Sequence, residues 1–312
     1  MLEIQKRSYP ASLKESIIES MGKYPVEGNF QCKVLFLWWL GQAGFAFQYS
    51  SILFLIDPYL SDSLAKKYKD KELPHRRLMA APILPGEVSN LDFVLCSHRH
   101  SDHMDPETLP GLAENNKNCK FILPEAHRKY ALNLGLPEDR IIGMNAKDTI
   151  KLKEGCTVTA VASAHEELMQ NEAGEHCYLG YIIRFDSIAD SIALYHSGDC
   201  VPFTGLVEEL LKHHIDIALL PINGRDQYRR KRNIAGNFTV SEAIELCKNA
   251  RIPILMGHHF ELFGFNTIDR TDAQREFMQD ALKKGQEPSE CLLPEINIKY
   301  AVTKAASTGS IA

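Results

Sequence analysis

LDFVLCSHRHSDHMDP, residues 91–106, changes character halfway along. Its first half is apolar and rich in branched and aromatic side chains, as a buried strand would be. Its second half holds His98, His100, Asp102, His103 and Asp105. Asp105 suits a helix N-cap and Pro106 the first helical position. The polar cluster therefore falls on a loop between the C-terminal end of a strand and the start of a helix, where α/β folds place their chemistry. Alternate residues of an extended chain share a side, so His98 and His100 can reach one ion. Asp102 and His103 follow a turn and can face a second. Imidazole and carboxylate donors suit Zn²⁺, Mn²⁺ or Fe.

One loop cannot complete a two-ion site, and three further donors stand just beyond predicted strands. His165 follows TVTAVASA (157–164), Asp199 follows SIALYHSG (191–198), and His258 follows PILMG (253–257). Each has an ordinary reading alone, as a loop, turn or core residue. Together with the 98–103 loop they form a donor set, and Asp199 has two oxygens with which to bridge two ions. Other strands are expected over 33–41, 45–49, 52–57, 120–124, 178–185 and 216–222. Helices are expected near 12–21, 125–134, 205–213, 239–249 and 270–284. Ser12 with Glu15, and Thr239 with Glu242, have capping-box spacing, and Gly22 is a plausible stop for the first helix. Strand clusters with interspersed helices predict one α/β domain of layered sheets and helices over 31–300. A helical extension over 1–30 would precede it, and 301–312 would be a frayed tail. Trp38 and Trp39 are adjacent in a strand, so at most one can face a given side, and both are expected in the core.

Composition narrows the function classes. A formal charge of −5 on 312 residues gives no global attraction to nucleic acid or anionic membrane. No run of about 18 apolar residues exists, and the N-terminal stretch lacks the apolar run of a signal peptide, so a cytoplasmic location is expected. The eight cysteines form no CxxC pair, which predicts reduced, mostly buried thiols rather than disulfides or a cysteine zinc knuckle. RDQYRRKR (225–232) sets five cations against one acid just after a strand. Arginine forks match phosphate oxygens, so Arg225, Arg229 and Arg230 are candidate anchors for an anionic substrate.

The pattern HxHxDH, followed by a later His, a Gly-Asp and a final His, resembles the metallo-β-lactamase superfamily. The resemblance implies an αββα sandwich with metals at one edge of the two sheets. It places His98, His100 and His165 on one metal, and Asp102, His103 and His258 on the second, with Asp199 bridging. More narrowly, LWWLGQAGFAF (37–47), IDPYLSD (56–62), YHSGD (195–199), LLPING (219–224) and GHHF (257–260) resemble the L-ascorbate-6-phosphate lactonase group. That likeness implies a homo-oligomer, and one or two bound divalent ions, Mn²⁺ or Zn²⁺ with Fe as a further choice. The expected chemistry is hydrolysis by metal-activated hydroxide, opening a lactone of a small anionic sugar acid. Asp102 or Asp199 would orient the water, and His259 would donate a proton. Asp57, at a strand end near the same edge, would support a metal histidine from behind. The alternatives are a metal-dependent phosphodiesterase or nuclease, and a non-catalytic metal-binding regulatory module.

Overall fold

The computed structural model describes residues 2–8, 12–23, 34–187, 190–282 and 290–304. In chain order the first strands are β1 (Leu2–Ser8), β2 (Leu35–Gly41), β3 (Gly44–Tyr49), β4 (Ile52–Ile56), β5 (Phe93–Leu95), β6 (Lys120–Pro124) and β7 (Ile141–Met144). Next come β8 (Thr149–Lys153), β9 (Cys156–Ala162), the short hairpin β10 (Ala164–His165) and β11 (Glu167–Leu168), then β12 (Leu179–Asp186), β13 (Ser191–His196), β14 (Ile217–Pro221), β15 (Ile254–His258), β16 (Glu290–Leu292) and β17 (Ile298–Lys304). One sheet runs β1-β17-β2-β3-β4-β5-β6-β7, the other β16-β15-β14-β13-β12-β9-β8. In each sheet the meander strands pair antiparallel, whereas β4 to β7 and β13 to β16 pair parallel.

The parallel pairs need crossovers, and helices supply most of them. The helices are α1 (Leu13–Lys23), α2 (Ser63–Lys67), α3 (Thr108–Asn115), α4 (Arg128–Asn133), α5 (Leu206–Leu211), α6 (Gln227–Arg230), α7 (Val240–Asn249) and α8 (Arg270–Ala281). Leu13 and Ile17 of α1 and Leu109 and Leu112 of α3 pack on the outer face of the first sheet with Trp38 and Phe121. The space between the sheets holds Trp39, Phe45, Phe47, Phe54, Tyr181 and Phe185. The two tryptophans thus face opposite ways along β2, as pleat alternation requires. Trp38 donates its indole N–H to Ser16 on α1 (3.0 Å), and Trp39 donates to the carbonyl of Gln42 (3.0 Å). The layers are helix, sheet, sheet, helix, the sandwich expected from the sequence.

Two boundaries differ from expectation. The N-terminal segment is not helical throughout: β1 pairs antiparallel with β17 along its whole length, from Leu2 opposite Lys304 to Ser8 opposite Ile298. Its partner lies at the other end of the chain, so local pattern alone did not reveal it. Residues 301–304, expected in a frayed tail, belong to β17. The rest of that tail, Cys32, and the last two residues of the helix expected over 270–284 lie outside the described residues. The seven other cysteines are free thiols.

The capping signals read at Thr239 and Asp105 are present, whereas Gly22, expected to stop the first helix, lies within α1. Thr239 Oγ1 accepts from the N–H of Glu242 (3.3 Å), and Glu242 accepts from the N–H of Thr239 (2.9 Å). Asp105 accepts from the N–H of Thr108 (3.0 Å) and its carbonyl accepts from Leu109 N–H (3.0 Å), so it caps the turn leading into α3.

Candidate metal centre

The donor residues collect where the parallel strands end. Asp57 follows β4, His98 to His103 follow β5, Asp199 follows β13, and His259 follows β15, while His165 closes β10. This is the carboxyl edge of both sheets, where chain reversals leave backbone and side chains free to converge on a ligand. Gly198 makes one of these reversals possible. Its φ is +61°, and a Cβ there would lie 2.5 Å from the Cβ of Ser97.

Among the described residues, three groups of donor atoms lie within 4.8 Å of one another: His98, His100 and His165; His98, His103 and Asp199; and Asp102, His103 and His259. His98 Nε2 and His100 Nδ1 are 2.9 Å apart. Asp199 Oδ1 is 3.3 Å from His103 Nε2 and 3.2 Å from His259 Nε2, and its Oδ2 is 3.6 Å from His165 Nε2. Asp199 therefore lies between the two outer groups, as a bridging carboxylate would.

Behind these groups the structure holds them in place. His103 Nδ1 is 2.8 Å from Asp57 Oδ2, and Asp57 also accepts from the N–H (2.7 Å) and hydroxyl (2.6 Å) of Ser97. A carboxylate on Nδ1–H fixes the tautomer and turns the Nε2 lone pair toward the cluster. Asp57 thus occupies the supporting position expected of it. Ser97 does so without having been singled out, although it immediately precedes the first histidine.

The chain's own charges divide the cluster. Burial, reinforced by His103 and His100, pushes His98 well below the ordinary imidazole range, and burial with the neighbouring His165 takes His100 down to about 4. Burial also lowers His165. Neutral imidazoles are the form that binds metal. Around Asp57, Asp102 and Asp199 the order reverses. Burial opposes the charge on His103, but Asp57, Asp199 and Asp102 hold it well above the ordinary range. Burial likewise opposes the charge on His259, yet Asp199 and Asp102 raise it to about 9. Burial would raise both carboxylates too, and the histidines beside them keep Asp102 and Asp199 ionised.

The donor set fits divalent cations. His103 Nε2 and Asp199 Oδ1, which face each other in the cluster, are buried with no hydrogen-bond partner. Buried polar atoms are rarely left so, and an orphaned imidazole nitrogen beside an orphaned carboxylate oxygen is what an ion would satisfy.

His258 is a correction. Its ring lies 4.9 Å from that of His196 at an interplanar angle of 7°, and 6.0 Å from Phe45, and it joins none of the three donor groups. Successive residues of a strand end point to opposite sides, and a φ of +64° turns His259 toward the cluster instead. His259, expected as a proton donor, stands where His258 was expected. The paired histidines of GHHF gave no local signal to separate them.

The basic segment is also corrected. Arg225 forms a bidentate pair with Glu242 (2.6 Å to each oxygen). Arg229 is buried, bonding the carbonyls of Asn223 and Thr267. Arg230 is exposed and stays out of the cleft. The first two are consumed in holding the loop on α7 and on the 261–267 segment. Lys231 and Arg232, one turn further on, do line the cleft, as do Lys67, Lys71 and Arg99. That cleft has a volume of about 860 Å³ and has His100, Asp102, His165, Asp199 and His259 in its lining. Tyr68, His75, Phe263 and Phe265 give it an aromatic wall, with Tyr68 and His75 stacked at 4.1 Å.

Comparison with known proteins agrees with this geometry. Residues 53–260 match the family model described as a beta-lactamase superfamily domain. A UPF0173 metal-dependent hydrolase of Methanoregula boonei is 33% identical over 158 residues, covering 48% of this chain and 64% of that one. The corresponding protein of Archaeoglobus fulgidus is 29% identical over 239 residues, or 76% of this chain and 88% of its own length. An N-acyl-phosphatidylethanolamine-hydrolyzing phospholipase D of Caenorhabditis elegans is 23% identical over 75% of this chain and 66% of that one. Among solved structures, the isothiocyanate hydrolase from Delia radicum gut bacteria superposes with a TM-score of 0.63 at 20% identity, covering 83% of this chain and 96% of the other. With the matched segment running from β4 to the end of β15 and the donor cluster at the common edge of the two sheets, the chain belongs to the beta-lactamase superfamily, as a metal-dependent hydrolase with the metallo-β-lactamase fold.

Proposed function

We propose that the protein hydrolyses an ester bond in a small anionic substrate, the leading substrate class being a lactone of a phosphorylated sugar acid such as L-ascorbate 6-phosphate. The carrying observation is the cleft. A chain of net charge −5 places Lys67, Lys71, Arg99, Lys231 and Arg232 around one opening, against Glu72, which is already paired with Arg232 (2.9 Å). Such a rim draws in and orients a phosphate-bearing substrate. The WWLG and YHSGD stretches support the lactone reading.

His98, His100 and His165 would hold one ion, and Asp102, His103 and His259 a second, with Asp199 between them. A divalent ion bound there lowers the pKa of water toward neutrality and polarises a carbonyl or phosphoryl oxygen. The chain does the rest. Ionised Asp199 and Asp102 orient the water and accept its proton. Water oxygen joins the carbonyl carbon, the ring C–O bond breaks, one water proton passes to the leaving oxygen, and the acid formed releases the other to solvent, giving a carboxylate and an alcohol. The aromatic wall packs on the substrate's body and excludes bulk water.

A phosphodiester is the second reading, favoured by the relative named as a phospholipase D and by the same basic rim. Loss of L-ascorbate 6-phosphate and release of nitrophenol from bis(p-nitrophenyl) phosphate, each measured with Mn²⁺ and Zn²⁺, separate the two. Turnover of the first that vanishes in Asp199→Asn is the expected result. Turnover of the diester alone replaces the lactone assignment, and inactivity of the metal-loaded protein on both, extended to other lactones, defeats the proposal.

A further inference from the structure

The tight turn between β2 and β3 inserts one residue into the cluster that is not among the metal donors. Gln42 is 1% exposed, and its backbone lies in the left-handed region at φ +51°. Its carbonyl accepts from the indole of Trp39 (3.0 Å) and from the main-chain N–H of His259 (2.9 Å). Its side-chain nitrogen is 2.9 Å from Asp102 Oδ2 and 3.0 Å from His259 Nε2. One residue thus holds His259 by its backbone N–H, lies against its ring, and donates to the carboxylate that shares a donor group with it.

The amide orientation follows from charge. Rotating it by half a turn would set Oε1 against the Asp102 carboxylate, two acceptors with no proton between them. The nitrogen must therefore face Asp102, which leaves Oε1 buried and without a hydrogen-bond partner. An unpaired buried acceptor and a left-handed non-glycine residue are both costs to folding. Holding Asp102 and His259 in register gives both costs a purpose.

We infer that Gln42 is a positioning residue for the Asp102–His103–His259 group: it fixes the rotamer of Asp102 and the place of His259, and so sets the affinity of the second ion without ligating it. The inference rests on the reading of that group as an ion site. It predicts an asymmetry, because no hydrogen bond among the described residues joins Gln42 to His98, His100 or His165.

The test is stepwise Co²⁺ titration of the chelator-stripped full chain, followed by calorimetry, bound-metal count and the visible Co²⁺ spectrum. Gln42→Ala removes the amide, and Gln42→Met keeps its length and packing without the N–H. Both retain the backbone carbonyl that supports the turn. His165→Ala and Asp102→Ala identify which step belongs to which group. The expected result is two uptake steps in the parent protein. In both Gln42 variants the step lost in Asp102→Ala weakens by about 10–100-fold, and the step lost in His165→Ala is unchanged. Parent-like steps in folded Gln42→Met would overturn the inference and leave the ion sites standing, as would equal weakening of both steps. No uptake by the parent protein would defeat the underlying ion reading as well.

Discussion

Asp57 shows how much of this centre is decided one residue away from the donors. Its carboxylate takes the Nδ1 side of His103, and Ser97 takes the carboxylate in turn. Replacing Asp57 by Ala frees the His103 ring to rotate and change tautomer. Metal affinity should fall by about 10–100-fold, read by competition with a chromogenic chelator; an unchanged affinity would remove Asp57 from the supporting role. Asp199 is the stricter case, because it lies within 3.6 Å of ring nitrogens from His103, His165 and His259. Asp199→Asn keeps the shape and loses the charge. Turnover should drop by more than about 100-fold, the upper end for supporting partners, while the fold, followed by circular dichroism, persists.

At the scale of elements, the segment after β14 divides its cations between structure and cleft. Arg225 and Arg229 tie it down, and Lys231 and Arg232 face the opening. Lys67 and Lys71 approach from α2 and the loop after it. Neutralising Lys67, Lys71 or Lys231 should raise KM for a phosphate-bearing substrate by roughly fivefold each, as for an exposed charge pair, and less at high salt. A neutral ester should be unaffected; equal losses on both substrates would mean that these lysines do not recognise charge. The Arg225–Glu242 pair has a pH signature. Burial would raise the Glu242 carboxyl, but Arg225 and the Thr239 cap outweigh it and hold its pKa below the ordinary glutamate value. A lowered folded pKa stabilises above the unfolded value and is lost as pH falls through the folded one. The urea-midpoint gap between the parent protein and Glu242→Gln should therefore be widest near neutrality and close on acidification, and a gap that widens in acid would contradict the assignment.

The whole molecule is two sheets whose parallel strands end at one edge, so ions held there would join loops from both. Binding to the folded state alone adds RT ln(1 + [L]/Kd), about 2.7 kcal/mol at one hundred times Kd. For a chain of this size that is a rise of roughly 4 °C in thermal midpoint, reversed by EDTA. Differential scanning fluorimetry with Mn²⁺ or Zn²⁺ tests it, and a midpoint indifferent to both ions would mean that the edge loops are not bridged by metal.

The sequence by itself determined what short-range pattern can carry. Apolar runs placed most strands, capping boxes placed helix starts, and the HxHxDH spacing marked the loop that supplies most of the cluster. Alternation along β2 sent Trp38 and Trp39 to opposite cores. The tertiary structure alone decided matters that depend on partners distant in the chain. It made residues 2–8 a strand by pairing them with 298–304, and it chose His259 over His258 through a left-handed turn. It occupied Arg225 and Arg229 with Glu242 and with backbone carbonyls, and it brought Gln42 onto Asp102 and His259. The physical reason is the same throughout. Local sequence sets backbone preference and the period of burial, but which of two adjacent side chains meets a distant group is settled only when the sheets close on each other.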